Sequence, residues 1–316
     1  MERHSISVSY RLNGMRLDVA ISDSIAGISR RRAKAIVDMG GVYLNKKRVR
    51  IASKTVGKGD RIEVEYNKAL FEGNRQEELS LKPEDILYFD HDVIVINKPA
   101  GLPSQATRDQ AIMHVVPLLE KCLTAMGHPK MDLQLVHRLD KDTTGALVIA
   151  TNKPTMTRLT EQFRQHTIQK TYHALVWGLV EKPFEINCML SAIQPNTSKV
   201  KVVKSGGKSS QTFFEVVKSY PSLHVSLMNC RPITGRSHQI RVHLDEAGHP
   251  IIGDKVYGEG KRQTLADELL QTATHQLLHA ASIRFTPAEG VEPVEVRAPY
   301  PETFASFVAI ADASLS

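Results

Sequence analysis

Residues 135–150 read Leu135-Val136-His137-Arg138-Leu139-Asp140-Lys141-Asp142-Thr143-Thr144-Gly145-Ala146-Leu147-Val148-Ile149-Ala150. An apolar approach, a polar loop and a β-branched run predict two buried strands with the Asp140 carboxylate on the loop between them. Strands fix the ends of such a loop while its tip faces a cleft, so the position suits chemistry. Taken alone, Asp140 reads as a structural turn residue. Upstream, Asp92-Val93-Ile94-Val95-Ile96-Asn97 predicts another buried strand, closed by the rigid turn Lys98-Pro99-Ala100-Gly101. A helix is expected between them, from about Ala111 to Met126. Downstream, Tyr172-His173-Ala174-Leu175-Val176 reads as a strand leading into Trp177-Gly178. Ser237 is a candidate cap for a helix with Ile240, Leu244 and Ala247 on one face and Arg241 directed elsewhere.

The chain has 316 residues, 41% hydrophobic and 24% charged, which is ordinary for a globular protein and leaves room for two domains. No apolar run approaches the roughly 18 residues of a membrane span, and the first residues lack the apolar core of a signal peptide. A cytoplasmic location follows as the default, with no membrane partner. Cys122, Cys188 and Cys230 are odd in number and outside any C-x-x-C pattern, so buried thiols are expected rather than disulfides or a thiolate metal site. His275 and His279 have helical i, i+4 spacing, but without an H-E-x-x-H pattern they read as packing residues, and no metal is expected. Ser205-Gly206-Gly207-Lys208-Ser209-Ser210 lacks the spacing of a phosphate loop and reads as a hairpin tip.

The net charge of +7 is unevenly placed. Residues 1–66 hold 14 Lys+Arg against 7 Asp+Glu, and the remainder is balanced at 27 against 27. A basic module ahead of a neutral body suggests delivery to a polyanion. Within it, Ser29 predicts the cap of a helix with Ala33, Ile36 and Val37 on one face and a stop at Gly40-Gly41. Arg30, Arg31 and Arg32 crowd its first turn, where cations oppose the helix dipole by roughly 0.3–1 kcal/mol each. A phosphate bound there would reconcile arginines with exposed N–H groups. Short strands with basic and glycine turns follow to Val64. The segment 16–64, through Arg16-Leu17-Asp18, Ser29-Arg30, Gly41-Val42-Tyr43-Leu44-Asn45 and Gly59-Asp60-Arg61-Ile62, resembles the small RNA-binding domain named after small-subunit ribosomal protein four. The polar stretch 67–83 reads as a linker, leaving 84–316 as the larger domain.

Four separated stretches of that larger domain carry a second resemblance. They are Lys98-Pro99-Ala100-Gly101, His137-Arg138-Leu139-Asp140, Lys170-Thr171-Tyr172-His173-Ala174-Leu175 and Thr234-Gly235-Arg236-Ser237-His238-Gln239-Ile240-Arg241, followed by Gly248-His249-Pro250-Ile251-Ile252-Gly253-Asp254. Over about residues 84–300 the chain strongly resembles the RluA/RluD type of RNA pseudouridine synthase. The resemblance implies an α+β fold with a mixed, largely antiparallel central sheet flanked by helices, beside a small α+β RNA-binding domain. It implies a monomeric, cofactor-free isomerase acting on structured RNA, with large-subunit ribosomal RNA preferred. Many relatives have a histidine shortly after the Lys-Pro-x-Gly turn where this chain has Gln105, so detail of its substrate groove is expected to differ.

The reaction breaks the bond from ribose C1′ to uracil N1 and rejoins the base through C5. The resemblance assigns the ionised carboxylate to Asp140 and its cationic partner to Arg241, with Arg236 in reserve. Without that guidance, Arg241 also suits a surface pair with Asp245. Tyr172 is assigned a place against the uracil, although a strand tyrosine also suits the core. A stacked base cannot reach a buried carboxylate, so the target must be flipped out, with Arg138 in the vacated stack. Phosphate or salt-bridge contacts would also suit Arg138. His137, Lys170 and Arg236 complete the expected substrate set. Two other classes stay open at this point: an RNA chaperone on the same fold, and a hydrolase, which would need a second working carboxyl group beside Asp140, for which Asp142 is near.

Overall fold

The structure is a computed structural model, and it describes all residues except 1, 26, 39, 67–78, 107–112, 195–196, 259–272 and 316, together with the side chain of Arg31. It divides into two units, Met1–Glu78 and Leu79–Ser316. The expected linker falls largely outside the described residues. Leu79–Pro83, read with it, stand with the second unit, where Leu81 is buried in the core.

In the first unit, strands β1 (Glu2–Ser7), β2 (Val42–Leu44), β3 (Lys47–Arg48) and β4 (Arg61–Tyr66) form an antiparallel sheet in the order β1-β4-β2-β3. Helices α1 (Leu17–Ser24) and α2 (Arg30–Asp38) bury Leu17, Ile21, Ala33, Ile36 and Val37 with Ile62 and Val64 of β4. Each large aliphatic removed from water contributes roughly 1.5–3 kcal/mol, so this small core holds two short helices that propensity alone would not. Ser29 caps α2 as expected, its Oγ accepting the Arg32 N–H at 3.3 Å.

The second unit is built on one large sheet from β5 (Ile86–Phe89), β6 (Val93–Lys98), β7 (Gln134–Leu135), β8 (Thr144–Ala150), β9 (Gln169–Trp177), β10 (Phe184–Leu190), β11 (Val202–Val203), β12 (Lys208–Tyr220), β13 (Val225–Pro232), β14 (Leu278–Phe285) and β15 (Val294–Arg297). The main order is β11-β10-β12-β13-β9-β14-β8-β6-β5, with β15 on β14 and β7 on β8. Among the described strands, β14 with β8 is the one parallel pairing, so the sheet is mixed and largely antiparallel. Every residue of β8 is buried, which explains its unbroken apolar sequence. Its Gly145 has φ +105°, and a Cβ there would stand 2.3 Å from the Ala280 carbonyl oxygen, so only glycine lets β14 pass beside it.

Helix α3 (Val115–Ala125) buries Val115, Leu119, Cys122 and Leu123 on one face; the first residues of the helix expected from Ala111 lie outside the described residues or precede its start. Helix α4 (Lys153–Arg164) is capped by Asn152, which accepts the Thr155 N–H at 2.9 Å. Helix α5 (Gln239–Glu246) seats Ile240 and Leu244 against Ala174 and Val176 of β9, and α6 (Glu302–Ala313) packs Phe304 and Phe307 with Leu175. His279 lies on β14, not on a helix, and His275 precedes that strand. Among the described residues no group of His, Cys, Asp and Glu is arranged to hold a metal, and no helix is long and apolar enough to cross a membrane. Residues 204–207 bend between β11 and β12, which pair with opposite sides of β10 and not with each other, so the expected hairpin tip is instead a short crossover past the end of β10.

Candidate active site

Asp140 lies on the segment from β7 to β8, and its two neighbours are tied down separately. Ser104 Oγ donates to the Leu139 carbonyl at 2.8 Å and accepts the Leu139 N–H at 3.0 Å. Lys98 Nζ donates to the carbonyls of Lys141, Leu102 and Pro99 at 2.9, 2.9 and 2.8 Å. Lys98 is fully buried, and burial pushes its ammonium down to about 7 against the opposing pull of Asp142 and Asp140. Three carbonyl acceptors match the three protons of the ammonium form, while burial acts against its charge. The Lys-Pro turn thus anchors the carboxylate loop from behind.

Arg241 meets Asp140 from α5. Its Nη1 lies 2.9 Å from Asp140 Oδ2, while Nε and Nη2 hold Asp254 Oδ2 and Oδ1 at 2.7 and 2.9 Å. The surface pair with Asp245 is not formed. Burial alone would lower the Arg241 pKa, but the two carboxylates, Asp254 foremost, raise it above the ordinary arginine value. Its guanidinium also lies over the Tyr257 ring, 5.1 Å from the centroid. Asp254 is itself fixed by the N–H groups of Val256 and Tyr257 at 2.8 and 3.1 Å. A bidentate buried carboxylate is a rigid mount for an arginine that must present one remaining nitrogen.

The expectation that Ser237 caps α5 is corrected. The residue at the cap position is His238, in a left-handed conformation and without a side-chain capping bond. The preceding turn is held instead by Gln239, whose Oε1 accepts from the Arg236 N–H at 2.9 Å and the Thr234 hydroxyl at 2.7 Å. Its Nε2 donates to Gln211 O and Thr212 Oγ1. A longer amide inside the first turn thus ties down the chain ahead of the helix, and it does not replace the expected serine as acceptor for the helix's own N–H groups.

A cavity of about 540 Å³ opens over Asp140, lined among others by Arg138, Tyr172, Lys170, Arg236, His238 and Arg241. Tyr172 projects from β9 into the apolar layer on which α5 packs. Burial, then the nearby Asp140 charge, pushes its phenol well above the ordinary value, so it stays protonated. Burial lowers Lys170 to about 8, and its Nζ donates to Thr234 O at 3.2 Å. Arg236 donates through Nε to Ser209 O at 2.9 Å. Arg138 is exposed. His137 also lines the cavity, but its Nε2 accepts the Val148 N–H at 2.9 Å, and burial, with Lys170 nearby, pushes it down to about 3. It is a neutral strand anchor here, with no free nitrogen shown toward RNA on that side. In the first unit, Arg30 pairs with the buried Asp18 at 3.2 Å and Arg32 donates to Gly27 O at 3.2 Å, so both arginines have internal partners where phosphate was expected to account for them.

The sequence of residues 92–246 matches the family model described as RNA pseudouridylate synthase, and residues 15–62 match that of the S4 domain. The ribosomal large subunit pseudouridine synthase D of Neisseria meningitidis is 34% identical over 310 residues, spanning 95% of this chain and 79% of that protein. The chain belongs to the RNA pseudouridine synthases. It is therefore an isomerase with an S4 RNA-binding domain. The ribosomal large subunit pseudouridine synthase C of Escherichia coli K12 is 31% identical over 300 residues, covering 92% and 90% of the two chains. The solved structure of human RNA pseudouridylate synthase domain containing 4 has 27% identity and a TM-score of 0.59, covering 77% of this chain and 98% of that one.

Asp254, Lys98, Ser104, Gln239 and Tyr257 received no role from the sequence. Lys98, Gln239 and Asp254 lie inside the stretches that carry the family resemblance, so a signal was present, but nothing in spacing says which buried atom a side chain will find. Among the described residues lining the cavity, Asp140 is the one carboxylate. A two-carboxylate hydrolase has no acid partner there.

Proposed function

We propose that this enzyme isomerises specific uridines of large-subunit ribosomal RNA to pseudouridine, with Asp140 as its catalytic carboxylate and a target base flipped out of its stack. The observation that carries the reading is the 2.9 Å pair between Asp140 and an Arg241 that Asp254 holds in place. An arginine so fixed orients the carboxylate and balances its charge at the wall of the cavity. The charged carboxylate acts at the ribose, either on C1′ or on a ribose proton, and the C1′–N1 bond breaks. The freed uracil turns and its C5 bonds to C1′, which releases Asp140 from C1′ where the carboxylate had attacked there, or returns the ribose proton where it had acted as a base. Tyr172 supports the base on the cavity wall, and Arg138, exposed at the mouth, fills the vacated stack.

The proposed route calls on no cofactor: the bond broken and the bond formed lie within one nucleotide, with no net redox change. The preference for large-subunit ribosomal RNA is supported by the names of relatives aligned over more than nine-tenths of this chain. The basic S4 domain contributes phosphate contacts that hold the structured RNA, with Arg30, Arg31 and Arg32 among them. His137, Lys170 and Arg236 stand around the substrate, the first through the strand it anchors. We further propose a cytoplasmic monomer with residues 1–66 as the RNA-binding domain, 67–83 as the connecting segment and 84–316 as the catalytic domain. Pseudouridine mapping across cellular RNA in a strain lacking this chain tests the reading. Loss at defined uridines of large-subunit ribosomal RNA is expected; an unchanged ribosomal map with sites lost elsewhere would refute the substrate, and no lost site would refute the activity.

A further inference from the structure

His238 stands beside Asp140 in a costly conformation. Its backbone has φ +55° and ψ 16°, yet its side chain makes no capping bond to α5. A non-glycine residue pays roughly 1–2 kcal/mol for this region, so the placement of its ring calls for an explanation. The ring lies edge-on to Tyr257, with centroids 5.8 Å apart and Nδ1 3.1 Å from the phenol oxygen. Its Nε2 is on the cavity side, 3.9 Å from Asp140 Oδ2. That distance is too long for a hydrogen bond, so Nε2 is not committed to the carboxylate.

Tyr257 faces Nδ1 and suits either tautomer, and the charge of Asp140 beside Nε2 decides between them. The Tyr257 hydroxyl accepts the Val200 N–H at 2.8 Å and has one proton to give, either to Val200 O at 3.2 Å or to His238 Nδ1 at 3.1 Å. Donation to Nδ1 leaves the neutral ring with its proton on Nε2. The nearby Asp140 charge favours an N–H at that end over a lone pair. Burial lowers the ring's pKa; Asp140 and Asp254 oppose this, while Arg241 and Arg138 add to it, and the balance keeps the ring neutral at neutral pH.

We infer that His238 donates a hydrogen bond from Nε2 to O2 of the uracil as the base leaves the sugar. The inference rests on the proposed reading in which the C1′–N1 bond breaks beside Asp140. The electron pair of that bond passes to the uracil and spreads over N1 and the carbonyl oxygens. Of the two ring carbons next to N1, only C2 carries an acceptor, so O2 is the acceptor within reach of a donor that adjoins the carboxylate facing C1′. His238 shares its proton and does not lose it. The C1′–C5 bond then forms from ring electrons, C5 gives up its proton and N1 gains one, so atoms and charge balance within the nucleotide. Arg241, the other donor at Asp140, is already engaged by two carboxylates.

Two variants of the full-length chain separate this role from support of Tyr257. The amide nitrogen of Asn corresponds to Nδ1 and tolerates the left-handed backbone, whereas that of Gln corresponds to Nε2. Single-turnover pseudouridine formation and RNA affinity are measured on an RNA that the wild type modifies. H238N is expected to slow the reaction about 100-fold with RNA affinity retained, as for loss of one donor to a developing anion. H238Q is expected to recover about tenfold or more of that loss. Thermal melting compares the folding of the two variants with wild type. A wild-type rate in H238N, or an active H238N with an inactive H238Q, would overturn the inference while leaving the proposed reaction intact. A wild-type chain that forms no pseudouridine on any RNA would overturn both.

Discussion

Arg241 binds Asp254 with two nitrogens and Asp140 with the third, so the proposed catalytic carboxylate is held by an arginine that is itself held. The arrangement separates positioning from chemistry. Asp254 is inaccessible, whereas Asp140 retains partial exposure to the cavity.

Replacing Asp254 with Asn should therefore harm both folding and turnover without touching substrate. Breaking one side of a buried ion pair costs about 3 kcal/mol. Urea denaturation should show that loss, and single-turnover assays on the surviving folded enzyme should show a slower rate with RNA affinity retained. A D254N enzyme with wild-type stability and rate would remove Asp254 from the account.

Lys98 gives a pH signature on the alkaline side. Its folded pKa is about 7 and its unfolded value is about 10.4. Between these values the unfolded chain binds more protons, so stability rises with pH and falls as pH drops from about 10 toward 7. Lys170, lowered to about 8, adds to the same slope. Denaturant midpoints should rise from neutral pH to about pH 9, and the rise should shrink in K98M. K98M should also lose roughly 3 kcal/mol at neutral pH, because it strands the carbonyls of Pro99, Leu102 and Lys141.

Histidines with lowered pKa values, His137 at about 3 among them, set the acid side. His243 and His279 are pushed down to about 4, chiefly by burial. As pH falls from about 6.5 toward 4, the unfolded chain takes up protons that the folded chain refuses, and stability is lost. Melting temperatures should decline across that interval. H243N should reduce the slope by up to about 1.4 kcal/mol per pH unit, the contribution of one proton. An unchanged slope would contradict burial of a neutral His243.

Changing Arg30, Arg31 and Arg32 together to alanine should weaken RNA binding and flatten its salt dependence. Arg30 already pairs with Asp18, so its single substitution should flatten the slope less than the triple change. Identical salt slopes for wild type and triple variant would place the phosphate contacts elsewhere.

The strands carrying the site were legible because burial on both faces writes itself into β8 as an unbroken apolar run and into Val93–Ile96 of β6 likewise. The position of Arg241 was legible in part: Ile240 and Leu244 do face the core, which leaves Arg241 free to point to Asp140. Its second carboxylate was not. Asp254 lies 13 residues onward across a turn, and no periodicity relates the two. Capping rules favoured Ser237, but the turn before α5 is closed by a side chain from inside the helix, which a rule based on short polar residues overlooks. His137 was expected in the substrate set, and its position in a sequence stretch could not show that its Nε2 would accept the Val148 N–H.

The central claim is that Asp140 performs the chemistry, and the most direct measurement is pseudouridine formation by D140N on an RNA that wild type modifies. The account predicts no detectable pseudouridine, with RNA binding and folding retained. Pseudouridine formed by D140N at the wild-type rate would contradict it.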